Sequence, residues 1–288
     1  MPTPQICLNT PAGGEIVIGD RKKLGLILGP CVIESRDLIL RHTDKIKSIV
    51  QAVSGEDDCF SLIFKSSFDK ANRTSKGSFR GIGIDESLKI LSEVRTEFDL
   101  PVITDIHSPE QVPVVGAVCD ILQIPAFLCR QTDLLIAAGE SKKPILIKKG
   151  QFLHPDDMKY AADKIVEGGS DQILLCERGV SFGYRDLVVD FKSFSMMNNL
   201  GYPVVFDVTH SVQSLGGAGG KTSGASQYVP QLARAGVAFG VDALFMEAHE
   251  EPSKAPSDGP NMIKLENLES VLESIKAVWL VSREFSRV

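Results

Sequence analysis

No stretch of this 288-residue chain is apolar enough to span a bilayer. Its opening, MPTPQICLNTPAGGEIVIGD, lacks the basic segment and long apolar run of a secretory signal. The six cysteines show no short repeated spacing, which in a chain of this size argues for reduced thiols rather than a disulfide framework. A basic excess is missing as well. The net charge of -6 speaks against a nucleic-acid surface or an anionic membrane as partner, since both favour basic proteins. A low-complexity linker is absent, so residues 1–288 are expected to form one domain. The glycine-rich GGAGGKTSG from Gly216 is not a phosphate-binding loop: GxxxxGK[ST] needs a glycine five residues before Gly220, and Leu215 stands there. It is read instead as a flexible active-site loop. On these absences the protein is expected to be cytoplasmic, with an acidic exterior that is compatible with a local basic pocket for small anions.

What is present is a regular alternation. With 43% apolar residues the chain can bury a substantial core. Eight short β-branched runs begin at Leu24, Phe60, Pro101, Ile121, Pro144, Gln172, Pro203 and Ala243. Segments with helical spacing begin near Ser35, Asp85, Pro109, Gln131, Pro155, Asp190, Gln227 and Lys264. Pro109 and Pro155 suit first-turn positions, where a missing N–H costs nothing. Eight βα units in a chain near the usual length of about 250 residues predict an α/β fold, a (β/α)8 TIM barrel, over an open doubly wound sheet. Residues 1–22 are expected to be an extension, with a hairpin around PAGG closing the N-terminal end of the barrel.

In such a barrel the active site lies at the C-terminal ends of the strands. The chain places a polar residue after each apolar run: Cys31, Lys65, Asp105, Gln123, Lys148, Arg178, His210 and Glu247. A single strand-end lysine is more often solvated or ion-paired than functional. Lys65, Lys70, Lys148 and Arg178 together, however, make a cation cluster suited to phosphate or carboxylate. Cys31, His210, Glu247 and Asp258 form a second set, on strands 1, 7 and 8 and the loop after strand 8, which barrel closure brings together. A thiolate, an imidazole and two carboxylates suit Zn²⁺, Fe²⁺ or Mn²⁺ better than Mg²⁺. Cys59, Cys119 and Cys176 read as small buried hydrophobes.

KSSFDKANRTSKGSFRG from Lys65 resembles the signature of the 3-deoxy-D-manno-octulosonate 8-phosphate synthase family. GPCVIES, TDIH, IPAFLCRQTDLL, KKGQFL, CERG, FDVTHSVQ and MEAHEEPSKAPSDGP fall where that family's motifs belong. The resemblance implies condensation of phosphoenolpyruvate with D-arabinose 5-phosphate and water, releasing phosphate, toward the lipopolysaccharide core sugar. It implies Lys65, Ser67, Lys70, Lys148 and Arg178 as ligands of phosphoenolpyruvate, with Gln123 and Ala126 lining its site and Asp105 also among the substrate-binding residues. Asn72, Arg73 and Thr74 would bind arabinose 5-phosphate, and Arg130 would reach the sugar phosphate of a neighbouring subunit in a homotetramer. Catalytic roles fall on Lys70, Asn72, Lys148, Arg178, His210 and Asp258. No organic cofactor, nucleic acid or membrane enters this reading.

Cys31 matches the family's metal-dependent branch, which has Cys where the metal-free branch has Asn. Asp258-Gly259-Pro260 looks more like the metal-free branch, and RGIGID departs from the usual RGPG. Two rival enzymes share features with the chain. The heptulosonate phosphate synthases carry KPRTS where this chain has KANRTS, and a class I aldolase would form a Schiff base on Lys148. A non-catalytic sugar-phosphate sensor is the alternative from another class.

Overall fold

The computed structural model describes residues 4–73, 76–184, 186–218 and 221–285, with side chains of 215–218 and 221–223 outside the description. The first apolar stretches form an antiparallel hairpin of β1 (Ile6–Asn9) and β2 (Glu15–Ile18) around the PAGG turn. Six strands follow: β3 (Leu24–Gly29), β4 (Phe60–Lys65), β5 (Val102–Asp105), β6 (Ile121–Ile124), β7 (Ile145–Lys148) and β8 (Ile173–Glu177). A surface hairpin of β9 (Val180–Phe182) and β10 (Asp186–Val188) precedes β11 (Val204–Asp207). Then come β12 (Gln213–Ala218) and β13 (Lys221–Gly224), and finally β14 (Ala243–His249) and the two-residue β15 (Ile263–Lys264).

β3 to β8 pair in sequence order, all parallel, and β11 and β14 complete the ring because β14 pairs with both β11 and β3. The barrel is therefore closed with eight strands, as the sequence predicts. The helices around it are α1 (Arg36–Ser54), α2 (Ile84–Glu97), α3 (Gln111–Gly116), α4 (Thr132–Glu140), α5 (Met158–Gly168), α6 (Lys192–Asn199), the one-turn α7 (Val208–Ser211), α8 (Val229–Phe239) and α9 (Leu265–Ser282). Ser35 caps α1 by accepting from the Leu38 N–H, which satisfies one donor of the first turn. Pro155 opens a 3₁₀ turn leading into α5 as expected, whereas Pro109 sits in the turn before α3 rather than in its first turn.

Strand alternation divides the core in two. One set of side chains, including Leu24, Leu26, Leu28, Phe64 and Phe206, packs outward against the helices and Trp279. The other set, Ile27, Ile63, Ile103, Ile121, Leu146, Leu174, Val205, Ala243 and Phe245, fills the barrel interior. Ile6, Leu8 and Ile18 belong to the interior set, so the hairpin plugs the N-terminal end. The glycine-rich segment expected as a flexible loop is, in its described part, the β12–β13 hairpin; Gly219 and Gly220 lie outside the described residues.

At Gly29 the strands approach so closely that a Cβ would stand 2.0 Å from the Lys65 carbonyl oxygen. Gly29→Ala is expected to cost about 1–3 kcal/mol through overpacking and to lower Tm in thermal unfolding. An unchanged Tm would show that the two strands separate there at little cost.

Candidate active site

The polar residues at the barrel mouth follow from the same period of two that builds the interior. Two residues beyond the inward Ile63, Ile103, Ile121, Leu146, Val205 and Phe245 come Lys65, Asp105, Gln123, Lys148, Asp207 and Glu247. Each points into the barrel one layer above the apolar plug. All six are buried, so each needs a partner.

The partners are mostly one another. Lys65 Nζ donates to Glu247 Oε1 at 2.6 Å and to the Cys31 carbonyl at 3.0 Å. Lys148 Nζ lies 2.6 Å from Asp207 Oδ2 and 3.7 Å from the centroid of the Phe245 ring, so an ion pair and a cation–π contact hold it. Asp207 Oδ2 is also 2.8 Å from His210 Nδ1, and His210 Nε2 is 3.8 Å from Glu247 Oε1. A continuous chain of polar contacts thus runs from Lys148 through Asp207, His210 and Glu247 to Lys65. Burial disfavours the Asp207 carboxylate, but His210 and Lys148 outweigh it and hold the group well below the ordinary carboxylate range. Asp105 is held low in the same way, burial being overcome by Lys65 and Lys70. It accepts from Ser67 Oγ at 2.7 Å and from Gln123 Nε2. A Schiff base at Lys148 would have to break its pair with Asp207.

Above this layer opens a cavity of ≈ 1060 Å³. Lys65, Lys70, Asn72, Arg73, Asp105, Gln123, Ala126, Lys148, Arg178, His210 and Asp258 all line it. Ser67 stands just behind, bonded to Asp105 and accepting from Lys70 Nζ at 3.3 Å. Burial opposes the charge on Lys70, yet Cys31 and the Glu247, Asp105 and Asp258 carboxylates raise its pKa above the ordinary lysine value. Arg178 is 4% exposed; Nη2 donates to Gln213 Oε1 at 2.9 Å, while Nη1 is buried without a hydrogen-bond partner. Arg73 crosses the mouth to the loop after β14, donating to Ser257 Oγ at 2.8 Å and to the Pro256 carbonyl. Thr74 lies outside the described residues. Arg130 is exposed and does not line the cavity.

Among the described residues, donor atoms of Cys31, Glu247 and Asp258 lie within 4.8 Å of one another. Cys31 Sγ is 3.1 Å from Asp258 Oδ2, and burial, then Glu247, push the thiol well above its ordinary pKa. Glu247 Oε2 is buried with no hydrogen-bond partner. A soft donor, two carboxylates and an unsatisfied oxygen at one point fit a transition metal. The structure does not bring His210 into this tight group. It stands beside Glu247, on α7 rather than at a strand end, because Asp207 both caps α7 at the His210 N–H and holds Nδ1.

Sequence reasoning missed Asp207, Gln213, Ser257 and the buried Lys149–Glu177 pair. Asp207 was accessible in principle, as the inward position two after Val205. Glu177 Oε1 accepts from the N–H groups of Arg178 and Gly179, at 2.9 and 2.6 Å, with Lys149 Nζ at 3.3 Å, so it fixes the turn that carries Arg178. Cys59, Cys119 and Cys176 are buried as expected, and all six cysteines are free. No helix among the described residues is long and apolar enough to cross a membrane.

Residues 5–280 match the DAHP synthetase I family. A 2-dehydro-3-deoxyphosphooctonate aldolase of Synechococcus sp. is 53% identical over 271 residues, 94% of either chain. A protein of the same name from Desulfatibacillum aliphaticivorans is 53% identical over 266 residues, 92% of this chain and 96% of the other. The corresponding protein of Geotalea uraniireducens is 52% identical over 265 residues, again 92% and 96%. With eight parallel strands, a cation-lined mouth and this likeness along nearly its whole length, the chain belongs to the DAHP synthetase I family.

Proposed function

We propose that the chain joins phosphoenolpyruvate to D-arabinose 5-phosphate with water, giving 3-deoxy-D-manno-octulosonate 8-phosphate and phosphate, a step toward lipopolysaccharide. The observation that carries this reading is Arg178: a buried guanidinium with a free Nη1, in a cavity it shares with Lys65, Lys70 and Lys148, calls for a compact multivalent anion. The eight-carbon acid in the names of the relatives, and KANRTS rather than KPRTS, favour arabinose 5-phosphate over erythrose 4-phosphate.

On this reading Arg178, Lys148 and Lys70 hold the enol phosphate and carboxylate, with Gln123 and Ala126 beside them and Ser67 and Asp105 orienting Lys70. Lys65 acts mainly through Glu247, to which its charge is committed. Asn72 and Arg73, with Thr74, hold the aldose. C3 of the enol attacks the aldehyde carbon, whose oxygen takes up a proton to become a hydroxyl. Water adds its oxygen at C2 and releases a proton that balances it, and the C2–O bond to phosphate then breaks as the C2 hydroxyl gives its proton to the departing phosphate and becomes the ketone. Alignment of two bound reactants accounts for about 7 kcal/mol or more in favourable systems, and fixed cations stabilise the developing charge. A divalent ion held by Cys31, Glu247 and Asp258, with His210 alongside, would supply a Lewis acid or an anchor for orientation. We read residues 1–288 as one catalytic unit working in the cytoplasm. The exposed Val180, Phe182 and Tyr184 at the β9–β10 hairpin support contact with another subunit, and we read the assembly as a homotetramer with Arg130 assigned to a neighbour's sugar phosphate.

Phosphate release measured with arabinose 5-phosphate and erythrose 4-phosphate side by side tests the reading. Turnover with the five-carbon sugar is expected, and preference for the four-carbon sugar would overturn it. Arg73→Ala is expected to raise KM for arabinose 5-phosphate by about tenfold or more and that for phosphoenolpyruvate far less, because only the sugar loses a charged partner. Equal effects on both would remove Arg73 from the sugar site.

A further inference from the structure

Arg178 and Asp258 belong to loops on different strands, and a single side chain joins them. Gln213, at the start of β12, accepts from Arg178 Nη2 through Oε1 at 2.9 Å and donates from Nε2 to Asp258 Oδ1 at 3.0 Å. It is 9% exposed and lines the cavity. A guanidinium only donates and a carboxylate only accepts, so the link between them needs a group that does both; a primary amide does so without adding charge. The residue opposite Gln213 across the hairpin is Gly224. Asn261 occupies the space a side chain would take there: a Cβ on Gly224 would stand 1.6 Å from Asn261 Oδ1. One cross-strand pair therefore grips both ends of the segment from Asp258 to Asn261.

We infer that Gln213 is a positioning residue, its amide setting the anion-binding guanidinium of Arg178 and the Asp258 carboxylate in register with each other. The inference rests on the functional reading above. Because the amide is neutral, it orients Arg178 while leaving the guanidinium charge for the substrate. A carboxylate at the same place would pair with Arg178 and repel Asp258.

The test compares Gln213→Ala with the nearly isosteric Gln213→Glu, each verified as folded by its melting curve. Phosphoenolpyruvate binding is measured by calorimetry and both KM values by steady-state kinetics. Gln213→Ala is expected to raise the Kd for phosphoenolpyruvate about tenfold, as loss of a hydrogen bond to a charged group does. It is also expected to lower kcat, with KM for arabinose 5-phosphate changed by no more than about twofold. Gln213→Glu should weaken phosphoenolpyruvate binding more than Gln213→Ala, although it preserves size and shape. A residue that only fills space would give the reverse order, since alanine leaves a void and glutamate does not. Glutamate milder than or equal to alanine overturns the inference while leaving the functional reading intact. Wild-type protein that binds no phosphoenolpyruvate overturns both.

Discussion

Arg178→Ala is expected to lower kcat/KM for phosphoenolpyruvate by roughly a hundredfold or more, the scale of a lost charge-assisted bond in a desolvated site. Arg178 is the clearest case among the cations because its environment is incomplete without an anion. Burial lowers its pKa, Gln213 engages one nitrogen, and the other has no partner. Lys148→Ala should lower kcat/KM on a similar scale with an added effect on stability. Asp207 is fully buried and would lose its ammonium partner at 2.6 Å, and removing one member of a buried pair costs about 3–5 kcal/mol. The two variants therefore separate: both lose activity, but Lys148→Ala should also melt at clearly lower temperature. Kinetics recorded below both melting transitions make the comparison, and near-normal kcat/KM in either variant would remove that residue from the site.

Exhaustive chelation is expected to abolish turnover, and Zn²⁺, Fe²⁺ or Mn²⁺ to restore it. The donor set is small, with Cys31, Glu247 and Asp258 close together and His210 beside them, so the thiolate supplies most of the preference for a borderline-soft ion. Cys31→Ser should therefore lose bound metal as well as activity. Cys31→Asn should behave differently. An amide at this point can hydrogen-bond water or the aldehyde, and the cations around both phosphates would remain, so this variant is expected to turn over and to ignore chelator. Metal content by elemental analysis, measured alongside phosphate release, reads each case. Full turnover of wild-type protein shown to be metal-free would end the argument for a metal here.

Much of this molecule was legible along the chain. Strands of four to seven residues, each apolar and each followed by a helical segment, announce the barrel because hydrophobic periodicity is a local property. The same periodicity gave the mouth: when Ile63, Ile103, Ile121 and Phe245 face inward, Lys65, Asp105, Gln123 and Glu247 must too. The hairpin at the N-terminal end was equally local, its turn written in PAGG and its pairing in the alternation on either side.

Pairing among the polar groups was not local. Lys65 meets Glu247 across 182 residues, Lys148 meets Asp207 across 59, and Gln213 reaches Arg178 across 35 and Asp258 across 45. Each contact exists because the ring closes, with β14 between β11 and β3, and because loops return to particular heights above it. The sequence by itself determined the eight-stranded barrel, its inward register and the identity of most polar groups at its mouth. Tertiary structure decided which carboxylate each of Lys65 and Lys148 pairs with, which guanidinium nitrogen is left for a ligand, and that His210 stands beside the Cys31, Glu247 and Asp258 donors rather than among them. The reason is that a side chain's direction follows from the repeat of its own strand, whereas its partner depends on where distant segments are carried by the closed sheet.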